Sequence, residues 1–177
     1  SKFNKGVLEH MILRIPGGAR SQKEYSEDWS DEMMKLWIGL QKKYGFSFMF
    51  VVNGNDSPAN QLRVIRRWIS NGAKIESLEL MSEYYLPKFS QPKLEKPEVT
   101  KRVDVEMYTE EILPDYYPYL DSLNLPYYLI FAPAKKNRFG QPRHADWNEH
   151  MINYLMVQNQ PQKFGATLHL YQKDVTK

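Results

Sequence analysis

The chain has 177 residues, enough for one domain that buries its own core, and its 42% hydrophobic and 25% charged content is that of a globular protein. A net charge of +3 with no basic run argues against a nucleic-acid surface, and the lack of cysteine excludes disulfides, thiolate catalysis and Cys-based zinc sites. The longest apolar run, Phe46 to Val52, is far below a membrane span, and no signal-like apolar segment follows the first residues.

Strand-length apolar runs alternate with helical patterns along the chain. Met11 to Ile15 reads as the first strand, closed by Pro16, Gly17 and Gly18. Residues 28–45 then read as a helix with Met33, Leu36, Trp37, Leu40 and Tyr44 on its apolar face. Asp28 with Asp31 is its expected N-cap pair and Gly45 its expected terminator. Phe46 to Val52 is apolar but for Ser47, as in a strand covered on both faces. An Asn53-Gly54-Asn55-Asp56 loop leads to a helix capped by Ser57, with Pro58 first and Leu62, Ile65, Trp68 and Ile69 as its stripe. Asn71-Gly72 ends that helix, and Ile75 to Leu80 is the third strand.

Residues 86–102 hold three prolines and read as a long loop. A helix is expected from Thr109, bent or broken by Pro114 and Pro118. Tyr127 to Ala132 is the fourth strand, followed by a basic loop with Lys135, Lys136, Arg138, Arg143 and His144, read as a solvated face. "DWNE" at 146–149 opens the next helix as a capping box of Asp146 and Glu149, and Ala166 to Tyr171 is the last strand. The alternation implies a single α/β domain over residues 1–177. Its mostly parallel sheet of about five βα units is either open or part of a (β/α)8 barrel.

Functional groups in parallel α/β folds collect at the carboxyl ends of the strands. Those ends carry Arg14, then Asn53 with Asn55 and Asp56, then Ser82, Glu83, Tyr84 and Tyr85, and finally His169 and Tyr171. Glu83 therefore lies where a site would lie. Glu76 and Glu79 alternate along their strand and carry no sign of catalysis. The four histidines are too scattered for a metal site, and no glycine-rich phosphate loop points to a cofactor. The 12 tyrosines fit a sugar site, a protein interface or both.

The segments "LRIPGG", "FMFVVN", "IESLELMSEYYLPKF" and "ATLHLY", in this order, resemble successive strands of retaining glycoside hydrolases with a (β/α)8 barrel. The likeness covers residues 8–172 and is nearest to the arabinofuranosidase-like branch of the clan whose fourth strand ends in Gly-Asn-Glu. It implies that Glu83 falls on the general acid/base and that Arg14, Asn53, His169 and Tyr171 fall on substrate-contacting rim positions beside Ser82 and Tyr85. Two departures stand out. Met81-Ser82 replaces the family's Gly-Asn, and Ser cannot supply both hydrogen-bonding groups of an amide. The chain also matches strands two to six alone, so the nucleophile of strand seven has no counterpart. Retaining hydrolysis needs that second carboxylate about 5 Å from the acid.

Two main functions follow as expectations. One is a non-catalytic, hydrolase-derived module for binding or assembly, with a protein partner or further copies covering the open sheet edge, as in a large complex or virus particle. The other is a fragment of an active hydrolase that acts on carbohydrate through Glu83. An open α/β domain binding a small ligand ranks behind both.

Overall fold

The computed structural model describes residues 5–17, 30–86, 103–132, 146–159 and 161–169. Five strands lie side by side in chain order: β1 (Ile12–Ile15), β2 (Ser47–Val52), β3 (Ile75–Leu80), β4 (Tyr127–Phe131) and β5 (Phe164–Leu168). Each pairs in parallel with the next. The helices are α1 (Lys5–Leu8), α2 (Asp31–Tyr44), α3 (Pro58–Ser70), α4 (Val105–Met107), α5 (Leu113–Leu120) and α6 (Trp147–Met156). At least one helix separates each strand from the next, which is the expected α/β class. The strand order never reverses, so the sheet has no switch point of the doubly wound kind and is compatible with an arc of a barrel.

Alternation along the strands sorts their side chains onto two faces. Phe48 and Phe50 meet Trp68 of α3 edge-on, with ring centroids 5.7 and 6.0 Å apart, and Tyr127 stacks on Tyr117 of α5. These rings mark the helix-facing side, where Ile15, Val52, Leu78, Leu80 and Leu129 join the same core. Arg14, Met49, Val51, Ser77, Glu79 and Tyr128 alternate with them. Register pairs them across the inner side: Arg14 with Met49, Val51 with Glu79, and Glu79 with Tyr128.

Several local expectations need correction. The buried stripe of α2 is Met34, Ile38 and Gln41, whereas Met33 and Leu36 are 44% and 56% exposed. Trp37, Leu40 and Tyr44 of the expected face are half-buried against the core, and the polar Gln41 at the end of the buried stripe disguised it. Gln41 earns its place by clamping the residue before β3. Its Nε2 donates to the Lys74 carbonyl and its Oε1 accepts the Lys74 N–H, both at 2.8 Å. The N-cap of α2 is Ser30, whose Oγ accepts the Met33 N–H at 3.3 Å; Asp28 lies outside the described residues. Gly45 ends the helix at φ 83°, as expected. On α3 the buried residues are Gln61, Val64, Ile65 and Trp68, and Ile69 is exposed.

The helix expected from Thr109 begins four residues earlier, capped by Asp104, whose Oδ1 accepts the Met107 N–H at 2.9 Å. It continues through a π-helical turn, Tyr108–Ile112, into α5. Pro114 sits just after this turn and has no N–H to give an α-helical ladder, so the wider turn carries the chain past it without a break. At α6, Asp146 occupies the N-cap position in a helical conformation, and its carboxylate makes no cap bond, so the expected capping box is not formed. Asn148 instead clamps the end of β4: its Oδ1 accepts the Ala132 N–H at 2.8 Å and its Nδ2 donates to the Ala132 carbonyl at 2.9 Å. Strand β5 runs two residues earlier than expected and ends at Leu168, so His169 lies just past it. Gly165 reads as a breaker, yet the close approach of Tyr128 requires it. A Cβ there would lie 2.6 Å from Tyr128 Cε1. The loop read over residues 86–102 and the basic loop around His144 fall almost wholly outside the described residues.

Candidate functional site

A chain of charges crosses the carboxyl ends of the strands. Arg14 reaches from β1 over β2 to Glu79 on β3. Its Nε donates to Glu79 Oε2 at 2.7 Å, and its Nη2 donates to Glu79 Oε1 and, at 2.8 Å, to Ser82 Oγ. His169 approaches from the far side. Its Nε2 lies 3.3 Å from Glu79 Oε1, an ion pair without hydrogen-bond alignment, and its Nδ1 lies 3.5 Å from Glu83 Oε1. Glu79 thus sits between two cations, and His169 between two carboxylates.

Glu79 has no exposed side-chain surface. Burial disfavours its charge, but the Arg14 guanidinium and His169 outweigh that and hold its carboxyl below the usual carboxylate range. Burial also opposes the charge on His169, yet Glu79 and Glu83 overcome it and raise the imidazole to about 9, with Arg14 opposing. His169 is therefore an imidazolium at neutral pH.

The turn after β3 presents Ser82 and Glu83 to this chain. Met81 and Glu83 hold positive φ values of 67° and 49°, a conformation that costs a side-chain-bearing residue about 1 kcal/mol. The surroundings fix it. Met81 is buried over Gly54, where a Cβ would meet Met81 Cγ at 2.5 Å. Tyrosine hydroxyls hold the neighbouring carbonyls. Tyr84 donates to the Gly54 carbonyl at 2.9 Å, Tyr108 to the Leu80 carbonyl at 2.7 Å, and Tyr116 to the carbonyls of Asn53 and Asp56 at 3.1 and 2.5 Å. Burial pushes all three phenols well above their ordinary value, so they stay neutral donors. Three of the 12 tyrosines thus brace strand ends inside the molecule.

The expected site residues divide accordingly. Arg14, Ser82, Glu83 and His169 come together. Asn53 is buried in the turn after β2. Its Oδ1 accepts the Asn55 N–H at 2.9 Å, and its own N–H donates to Gln61 Oε1 at 2.9 Å. Tyr85 is buried with its ring edge-on to Trp147, centroids 6.0 Å apart. Both belong to the packing beneath the rim. Tyr171 lies outside the described residues. Sequence reasoning passed over Glu79. Its signal was a carboxylate alternating with Leu78 and Leu80 in a central strand, where a charge persists only when paired.

Among the described residues, no three metal-ligating side chains converge on a common point, and no helix is long and apolar enough to cross a membrane. Glu79 and Glu83 flank one imidazolium, and the guanidinium occupies the remaining side of Glu79. The arrangement supports ionic recognition and hydrogen bonding to hydroxyl or anionic groups. No protein-family model and no curated protein matches the chain.

Proposed function

We propose that this chain is a non-catalytic module, derived from a retaining glycoside hydrolase barrel, that works by binding or assembly. One observation carries the reading: among the described residues, the two carboxylates that flank His169 are each matched to a cation. Glu79 is buried and gripped bidentately by Arg14, and Glu83 faces the His169 imidazolium. A retaining mechanism needs an accessible nucleophilic carboxylate about 5 Å from the acid. Among the described residues, Glu79 is the carboxylate that shares an imidazole with Glu83, and its grip by Arg14 keeps it from attacking a sugar.

The descent from a hydrolase draws support from the backbone as well as from the strand motifs. Met81 holds φ 67° where the hydrolase pattern has glycine, the residue that adopts this conformation without cost. A binding or assembly role draws support from the sheet margins. Ile12 of β1 is 49% exposed and Leu168 of β5 is 51% exposed, with Met11, Met156 and Val157 also exposed nearby in the chain. Apolar side chains on outer strands are surfaces that partners cover.

The test is hydrolysis of aryl furanosides and aryl pyranosides by the wild type and by Glu83→Gln. The reading expects no turnover above background in either protein, with folding and assembly state unchanged by the substitution. Turnover by the wild type that Glu83→Gln abolishes overturns it in favour of an active hydrolase with Glu83 as acid/base.

A further inference from the structure

We propose that His169 is a pH-sensitive latch: its imidazolium holds the carboxyl end of β5 against that of β3, and its neutral form lets that end go. The inference goes beyond the binding role and does not depend on which ligand or partner is bound.

The geometry is that of a tie across an intervening strand. Strand β5 pairs with β4, and β4 with β3. His169 follows the last residue of β5 and reaches past β4 to two carboxylates, Glu79 on β3 and Glu83 in the turn beyond it. At the other end of β5, Lys163 sits 4.9 Å over the Tyr127 ring and bonds Asp121 Oδ1 at 2.5 Å, so each end of the strand has its own ionic anchor.

The two ring nitrogens explain why the charge matters. An imidazolium carries an N–H on each ring nitrogen and a positive charge spread over Nε2, 3.3 Å from Glu79, and Nδ1, 3.5 Å from Glu83. A neutral imidazole keeps one N–H and loses that charge, so its attraction to both acids falls away. Glu79 keeps Arg14 and remains satisfied, so β5 is the partner that leaves.

Among the described residues, the groups that face His169 are few. Strand β3 supplies Glu79, its following turn supplies Glu83, and β1 supplies the opposing Arg14. On β4, Tyr128 shares the inner face at the level of Glu79, and no titratable side chain lies on β5 from Phe164 to Leu168. Burial opposes the charge, but the two carboxylates outweigh both it and the guanidinium and raise the imidazole to about 9, above the ordinary histidine value of 6.5.

The experiment is a carbon-detected NMR titration of the whole chain from pH 6 to 10.5. It follows the His169 ring and the carbons of Ala166, Thr167 and Leu168. The proposal expects His169 to titrate near pH 9 and the β5 carbons to move with the same midpoint. His169→Gln should remove the β5 transition, and Glu83→Gln should shift both midpoints to lower pH together. If His169→Gln fails to fold, the joint displacement in Glu83→Gln remains decisive. Titration of His169 near 6.5, β5 carbons that ignore it, or a β5 transition that survives His169→Gln each overturns the latch.

Discussion

Replacing Arg14 by Met removes the guanidinium and keeps much of the aliphatic stem. Glu79 then remains as a buried carboxylate whose one cation is His169, at 3.3 Å and out of hydrogen-bond alignment. Removing one partner of a buried ion pair costs about 3–5 kcal/mol, because the survivor is left uncompensated in a poorly polarisable surround. The Arg14 side chain is 26% exposed and His169 stays in place, so the lower end applies, about 3 kcal/mol. For a protein of this size each kcal/mol moves the melting temperature by about 2–4 °C, which predicts a fall of about 6–12 °C. Thermal and urea unfolding of Arg14→Met, Glu79→Leu and the double variant measure the coupling. The double variant should lie closer to the wild type than either single one, since an apolar pair leaves no orphaned charge. An Arg14→Met protein within about 1 kcal/mol of the wild type, or a double variant that loses the sum of the singles, would refute the reasoning.

The same pair has a pH signature. Glu79 is held below its usual 4.5, so its stabilising effect is present above that value and fades as pH falls through the lowered one. Glu79→Gln should therefore differ most from the wild type above pH 4.5 and converge on it in acid, as read by urea unfolding at a series of pH values. Gly165→Ala should lose about 1–3 kcal/mol, because the new Cβ would stand 2.6 Å from the Tyr128 ring, and Tyr128→Ala in the same chain should recover part of the loss. Ser30→Ala should cost about 1 kcal/mol through its lost cap, whereas Asp146→Ala should stay within about 0.5 kcal/mol. Equal effects at the two positions in chemical denaturation would contradict the assigned caps.

The parallel sheet and its strand ends were legible because apolar runs and their helical spacers have different periods. Ile75–Leu80 was placed to the residue, and Arg14, Ser82, Glu83 and His169 were found by asking which polar groups follow each strand. What escaped was polarity doing structural duty. Gln41 ends a buried helix stripe, so the spacing favoured Met33 and Leu36 on the exposed side. Gly165 makes room for a ring two strands' side chains must share, and in sequence it looks like the end of a strand. Glu79 looked like the outward half of an alternating strand, because nothing in a linear pattern tells that Arg14, 65 positions earlier, folds onto it. Asn53 and Tyr85 stand in promising places, but local hydrogen bonding and ring packing take them out of the rim.

The central claim is that no carboxylate among the described residues is placed to attack a sugar opposite Glu83. Its most direct test is the intact mass of the protein after incubation with activated 2-deoxy-2-fluoro glycosyl fluorides of furanose and pyranose type, which trap a retaining nucleophile as a stable ester. The account predicts an unchanged mass with every reagent. A gain of one fluoroglycosyl group, mapped to an Asp or Glu, would contradict it.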